Sequence, residues 1–352
     1  MSTDITLSED SLVGFSAALL RAAGVQEDDA ICVAAALVAA DLEGVASHGV
    51  MLLPMYLERL SAGSVDPVGK GKVVSQKFGS ISMDAGNALG QVTANQAATL
   101  AMEAVGQFGY GAVSVRNGFH FGAAGYWAER IATVGLIGFV MCNTRPLMPP
   151  PGGSVPVVGN NPIAIALPSN SGVPLLLDLA LSEAAMGKIR NAAAAGKPIP
   201  LGWATDTHGR PTTDAEEAIK GMLLPTGGPK GFGLAVIVEL LTGGLSGGGT
   251  SDAVRGLYGN AAEPYNCSHF FLALDPECFG GGKAFQQSVG DLTDRIRATP
   301  PAPGIEAVMA PGDPARRNRQ RSEGKCTLPA ATYQALVRAA ADHGINAKQF
   351  LN

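Results

Sequence analysis

Apolar residues recur at helical spacing through the first sixty positions. Leu12, Phe15, Leu19 and Leu20 mark one stripe within residues 8–27, and an alanine-rich run sits inside a second helical stretch, residues 29–42. Ser47–Val50 then breaks the pattern, and Pro54 predicts the opening of a third helix over 55–61. Residues 72–83 alternate as a strand does, and 91–108 are helical again, stopping at Gly109. A short strand is expected over 112–115, a helix over 123–134 with Gly135 as its stop, and strands over 136–142, 162–166 and 175–179. This strand–helix alternation from 110 to 190 predicts an α/β layer. Residues 146–153 and 198–214 read as loops rich in turn residues. Further on come a very apolar helix (232–245), a strand (269–274), an exposed helix (283–297), a Pro- and Arg-rich stretch (302–325) and a closing helix (329–343).

Composition narrows the class. The chain has 352 residues, 46% hydrophobic and 16% charged, so it can bury a sizeable core. A net charge of −5 gives no basic face for nucleic acid, and none is expected as a partner. No apolar run reaches membrane-spanning length, and residues 1–10 lack the apolar core of a signal peptide. The five cysteines are scattered, without C-x-x-C spacing, which suggests neither a disulfide framework nor a metal site and fits a reducing cytoplasm.

Several familiar motifs are missing. The chain has no G-x-G-x-x-G, no G-x-x-x-x-G-K-[ST] and no H-E-x-x-H. The best phosphate cradle is Gly227-Gly228-Pro229-Lys230-Gly231, directly before the apolar helix. A helix N-terminus offers free N–H groups and the positive end of the dipole, and lysine adds charge. The plainer reading is a loop with a solvated lysine. Asp178 and Ser182, where a strand ends, can meet a ribose or cap a helix. Glu239, alone among apolar neighbours, calls for a buried partner.

Histidine is rare, with five in the chain. His48 lies in Ser47-His48-Gly49-Val50 and His120 in Asn117-Gly118-Phe119-His120-Phe121-Gly122. Imidazole is poised for proton exchange near neutral pH, which hydride transfer to or from a carbonyl carbon requires. The alternative is a structural role for each. His269 reads as structural, and His208 and His343 as surface residues. Arg316, Arg317, Arg319 and Arg321 read as a solvated basic segment.

Taken in order, Ser47–Val50, Asn117–Gly125, Gly159–Pro162, Asp178–Ser182, Gly187–Ile189, Pro211–Asp214 and Leu224–Gly231 resemble the type-2 malate/L-lactate dehydrogenase family. The resemblance implies an α/β, non-Rossmann NAD(P)-binding fold, with a helical domain formed by the N- and C-terminal segments. It also implies a homodimer with its active site near the subunit interface. On that basis we expect a helical segment over 1–70, an α/β cofactor-binding domain over 71–290, and a segment over 291–352 that packs back on the helices. The implied activity is NAD- or NADP-dependent hydride transfer at C2 of a small 2-hydroxy/2-oxo acid. A cyclic imino acid, a pyrroline or piperideine carboxylate, is the alternative substrate, and a non-catalytic NAD(P)-binding protein a more distant reading. His48 and His120 match the family's acid/base histidines, with Ser47 orienting substrate. Thr144, Asp178, Leu179, Ala180, Leu181, Ser182, Lys230, Gly231, Pro311, Gly312 and Asp313 match cofactor-lining positions, although Asp313 stands where the family usually has glutamate.

One departure is larger. The family usually carries an arginine near the substrate carboxylate where this chain has Leu52, and often a second where it has Met55. Arg145 falls where the family commonly has a small residue, so it is the candidate replacement for the lost carboxylate grip.

Overall fold

The computed structural model describes residues 4–350, so Met1 to Thr3 of the N-terminal stretch lie outside the described residues. The chain opens with β1 (Ile5–Ser8), α1 (Glu9–Ala22) and α2 (Glu27–Leu42). Ser8 caps α1 by accepting from the Ser11 amide. After two 3₁₀ turns, Ala46–His48 and Val50–Leu52, comes α3 (Leu53–Ser61), with Pro54 in its first turn as expected.

The strand expected over 72–83 is a hairpin, β2 (Lys72–Lys77) and β3 (Ser80–Asp84). Phe78, at φ 53°, and Gly79 make the turn, and only the alternation on either side was visible in the pattern. Then follow α4 (Gly90–Phe108), β4 (Tyr110–Gly118), α5 (Ala124–Ala132), β5 (Ile137–Cys142), β6 (Ile163–Leu167), β7 (Leu175–Leu179) and α6 (Met186–Ala194). The stretch read as loop over 198–214 contains the two-residue strands β8 (Ala204–Thr205) and β9 (Pro211–Thr212). Next to them lie α7 (Ala215–Lys220) and β10 (Met222–Leu223). The apolar helix is α8 (Pro229–Glu239), which loosens into a π turn at Leu240–Gly244. The chain closes with β11 (Cys267–Leu274), α9 (Gly282–Arg297), α10 (Asp313–Ser322), β12 (Lys325–Leu328) and α11 (Ala330–Asp342).

Seven strands form the main sheet in the order β2-β3-β4-β11-β5-β6-β7. Only β3 and β4 pair in parallel, so the α/β layer is a mixed, largely antiparallel sheet. The crossover through α5 does run between parallel strands, but β11 has inserted between β4 and β5 and pairs antiparallel with both. Side chains alternate across the sheet. Val140, Ala164 and Phe271 enter one core with α1, α2 and α4, while Met141, Ile163 and Phe270 meet a second core with α6, α7 and α8. Both faces are therefore covered in this region, as the near-continuous apolar runs of β5 and β6 require.

The chain ends meet. β1 pairs antiparallel with β12 from Ile5 opposite Leu328 to Ser8 opposite Lys325, and Leu336, Ala339 and Ala340 of α11 join the core of the N-terminal helices. Of the four arginines of 316–321, Arg321 is exposed as expected, but the other three are not simply solvated. Arg316 binds Glu129 at 3.3 Å and the Pro174 carbonyl, Arg317 binds Glu306 at 2.8 Å, and Arg319 binds Glu9 at 3.0 Å. They tie α10 to the body of the molecule.

Candidate active site

The loop holding His48 is shaped by a buried acid. Asp41, on the last turn of α2, accepts the Val50 amide at 2.8 Å, and burial pushes its carboxyl up to about 7. A Cβ at Gly49 would collide with that carboxylate, so glycine after His48 is a steric requirement. We expect Gly49→Ala to cost about 1–3 kcal/mol of stability, the usual range for overpacking, and to lower activity by displacing His48. Urea melts and kcat measured together test this, and an alanine variant of wild-type stability would contradict it.

His48 Nδ1 lies 3.0 Å from Ser47 Oγ, with Ser47 exposed and His48 half-buried. His120 comes from the loop between β4 and α5. The two rings stack with centroids 5.6 Å apart and planes 26° from parallel. His120 Nδ1 lies 2.7 Å from Tyr56 Oη, and the Tyr56 hydroxyl receives Gln91 Nε2 at 2.9 Å. Desolvation, with the neighbouring His48 and His269, holds the His120 imidazole down to about 3, so it is neutral at physiological pH. Burial also lowers His48. Gly90, at the start of α4, permits this closeness, because a Cβ there would strike the Phe119 and His120 carbonyls.

The His120 loop runs straight into the segment expected to hold a cofactor. Gly125, in the first turn of α5, donates its N–H to Asp178 Oδ2 at 2.9 Å. Asp178 thus caps α5 and keeps its other oxygen uncommitted there. Beyond it, Leu181 N–H donates to the Asn160 carbonyl at 2.7 Å, Thr226 N–H to the Leu181 carbonyl at 3.0 Å, and Ser182 bridges to Pro225. Thr144 Oγ1 donates to Asn160 Oδ1 at 2.9 Å. Thr144, Asp178–Ser182 and Pro225–Gly231 are therefore one assembly, although they span almost ninety positions of sequence. Gly227 and Gly228 have φ of 58° and 62°, which turns the chain into the N-terminus of α8. Gly231 is buried with no room for a Cβ, and Lys230 is exposed. Free amides, a helix dipole and an ammonium make a donor set that fits a dinucleotide's pyrophosphate. Gly187, at the start of α6, reaches this region from the other side, with Ser47 Cβ 3.8 Å from the point its own Cβ would occupy.

Other expected residues sit differently. Gly312 packs on Leu176 of β7, close in sequence to Asp178. Asp313 has both oxygens bound by Arg297, at 2.6 and 3.0 Å, which leaves the backbone of Pro311 and Gly312 as the accessible part of that turn. Leu52 is in the core at 1% exposure, so the position of the family arginine is filled by packing. Arg145 is exposed and lies against Gly256, its Cδ 3.5 Å from where a Cβ would be. Arg59, buried on α3, donates to the carbonyls of Gly256, Leu257 and Glu263 and pins that loop.

Sequence reasoning passed over Tyr56 and Gln91, because each falls within an expected helix, 55–61 and 91–108, where nothing local marks the partner of its hydroxyl or amide. It also read no metal site, yet folding brings ligand atoms of Cys142, Cys267 and His269 within 4.8 Å of one another behind the site. All five cysteines are free. Cys267 Sγ lies 3.2 Å from His269 Nε2, so this buried group is at least a hydrogen-bonded one.

A donor set that fits pyrophosphate and a pair of imidazoles are groups that a nicotinamide-dependent oxidoreductase uses. The family model described as malate/L-lactate dehydrogenase matches residues 7–337. L-Sulfolactate dehydrogenase of Methanocaldococcus jannaschii is 36% identical over 333 residues, covering 95% of this chain and 96% of the relative. A solved structure of sulfolactate dehydrogenase from that organism superposes with a TM-score of 0.93 at 34% identity, covering 99% of this chain and 100% of the other. The (2R)-3-sulfolactate dehydrogenase (NADP(+)) of Chromohalobacter salexigens is 39% identical over 283 residues, 80% of this chain and 84% of the relative. The structure of Δ1-piperideine-2-carboxylate reductase from Pseudomonas syringae matches with a TM-score of 0.86 at 29% identity, covering 95% and 99% of the two chains. The chain belongs to the malate/L-lactate dehydrogenase family. It has that family's α/β fold and is an NAD(P)-dependent oxidoreductase of small hydroxy or oxo acids.

Proposed function

We propose that the stacked pair His48 and His120 handles the proton of this reaction, while Ser47 and Arg145 meet the substrate. Thr144, Asp178–Ser182, Lys230, Gly231 and the Pro311–Asp313 turn line the cofactor. The 5.6 Å imidazole stack, joined through Gly125 and Asp178 to the α8 cradle, carries this reading. NAD or NADP, when bound, supplies the hydride acceptor or donor. The chain's own residues orient the 2-hydroxy acid, take or return its hydroxyl proton, and exclude water around the developing charge.

Arg145 is the cation we assign to the substrate carboxylate, since Leu52 has left that task to packing. Steady-state kinetics of Arg145→Ala on a panel of 2-oxo acids should show KM raised about 10–100-fold, the loss of one charged hydrogen-bonding partner. Unchanged KM and kcat on every carboxylate would remove Arg145 from the site. The same panel, extended to cyclic imino acids, separates the second reading, which the likeness to the piperideine-carboxylate reductase supports.

We also propose a homodimer. Leu234, Ile237, Leu240 and Leu245 are exposed on and just after α8, a contiguous apolar stretch of the kind subunit contacts cover. A homodimer formed there would place the cradle at α8's N-terminus near the interface. No helix among the described residues is long and apolar enough to cross a membrane. Five free thiols support a reducing, cytoplasmic setting.

A further inference from the structure

The two histidines of the stack are held in different ways. Gln91 and Tyr56 are both fully buried, and the Gln91 amide donates to Tyr56 Oη at 2.9 Å. The one Tyr56 hydrogen then has two acceptors in reach, His120 Nδ1 at 2.7 Å and the His120 carbonyl at 3.3 Å, and the shorter contact takes it. The backbone N–H of Gly122 also points at that nitrogen, at 3.4 Å. A backbone N–H can only donate, so Nδ1 of His120 is an acceptor and the ring's proton belongs on Nε2. His48 has no such constraint. Its Nδ1 faces the Ser47 hydroxyl, which donates or accepts as required, so His48 can gain or lose a proton and keep its hydrogen bond. At a centroid separation of 5.6 Å two imidazolium ions would repel, so one ring carries charge at a time.

We propose that Tyr56 and Gln91 are positioning residues that lock His120 as a neutral Nε2–H donor to the substrate's C2 oxygen, leaving His48 to carry the proton. The proposal rests on the reading of the site given above and divides the labour within it. In oxidation the hydrogen of the C2–H bond would leave with its electron pair as hydride, which NAD(P) accepts when bound. The hydroxyl O–H bond breaks and its proton goes to His48, while the oxygen keeps that electron pair to complete C2=O. His120 keeps its own proton throughout, and its Nε2–H bonds the oxygen as charge develops there. His48 sits beside exposed Ser47, which gives the proton an exit to water.

Nitrogen-15 NMR of protein labelled at the histidine rings, free of cofactor at neutral pH, reads the tautomer directly. The His120 signals are identified by their loss in His120→Gln. The expected spectrum shows Nε2 protonated and Nδ1 bare in the wild type. Tyr56→Phe should give a mixed tautomer and a kcat lowered about 10-fold or more, with KM for NAD(P)H unchanged. A wild-type spectrum with the proton on Nδ1 overturns the lock, and so does a Tyr56→Phe protein with both tautomer and kcat intact. The wild-type spectrum decides the point even where Tyr56→Phe fails to fold, and Gln91→Met then serves as the second variant, expected to loosen the same tautomer. Failure of the broader reading looks different, because His48→Ala and His120→Ala would then keep near-normal kcat whatever the tautomer.

Discussion

Alanine at His48 should lower kcat by about 10²–10⁴-fold, the usual worth of a positioned acid/base, with KM for the cofactor little changed. Alanine at His120 should cost about 10²–10³-fold, as loss of one preorganised donor does. The pH profile separates the two. Burial lowers the His48 pKa below its ordinary value, so oxidation, which needs the neutral base, speeds up as pH rises through that lowered value and then levels off. Reduction needs His48 protonated and slows over the same range. His120, held near 3, contributes no limb at physiological pH. In His48→Ala that limb should vanish, and in His120→Ala it should persist at reduced rate. A profile that survives intact in His48→Ala would assign the proton to another group.

The largest expected effect on stability is at Glu239. This carboxylate, 4% exposed, accepts from Asn143 Nδ2 at 3.1 Å, Asn161 Nδ2 at 2.6 Å and the Ser251 amide at 2.9 Å. The two asparagines then brace the strand ends on which Thr144 is mounted, Asn161 accepting the Thr144 amide at 3.0 Å. Glu239→Ala removes three charge-assisted bonds and leaves the Ser251 N–H without an acceptor. We expect a loss of about 3–5 kcal/mol, from the typical worth of such bonds and of an orphaned donor. Glu239→Gln should cost less, because it keeps one acceptor oxygen, although it turns an NH₂ toward the donors that met the other. Urea denaturation measures both, and a loss under about 1 kcal/mol in the alanine variant would mean the clasp is dispensable.

What the sequence made legible follows from where order is written locally. The stripes of α1, α4 and α5 are amphipathic in their own right, so their periodicity located them to within a few residues, whereas α2 is apolar nearly all round and was legible from its alanine-rich run. The helix α10 was invisible because Asp313–Ser322 has no apolar stripe. Its Arg316 and Arg319 are held by Glu129 and Glu9, partners far away in sequence. The β1–β12 pairing and the insertion of β11 between β4 and β5 are likewise non-local, and no window along the chain contains them. In the site, His48 and His120 stood out because histidine is scarce, His48 precedes a glycine and His120 lies midway between Gly118 and Gly122. Tyr56 did not, since a tyrosine on an apolar helix stripe announces burial and keeps its hydroxyl partner hidden. Glu239 was legible as a question, a lone acid among leucines and valines, and the fold supplied the asparagines that answer it.

Arg59 gives the site a tether of unusual chemistry. Its guanidinium is closed off by backbone carbonyls and the Ser64 hydroxyl, with no carboxylate among these partners. Dipoles buried with the cation are not screened by mobile ions, whereas the exposed pairs that hold α10, such as Arg319 with Glu9, are. Ionic strength therefore acts unequally on this molecule. Rising salt weakens the exposed ion pairs of α10 first, while the loop beside Arg145 stays fastened to the helix that carries Tyr56.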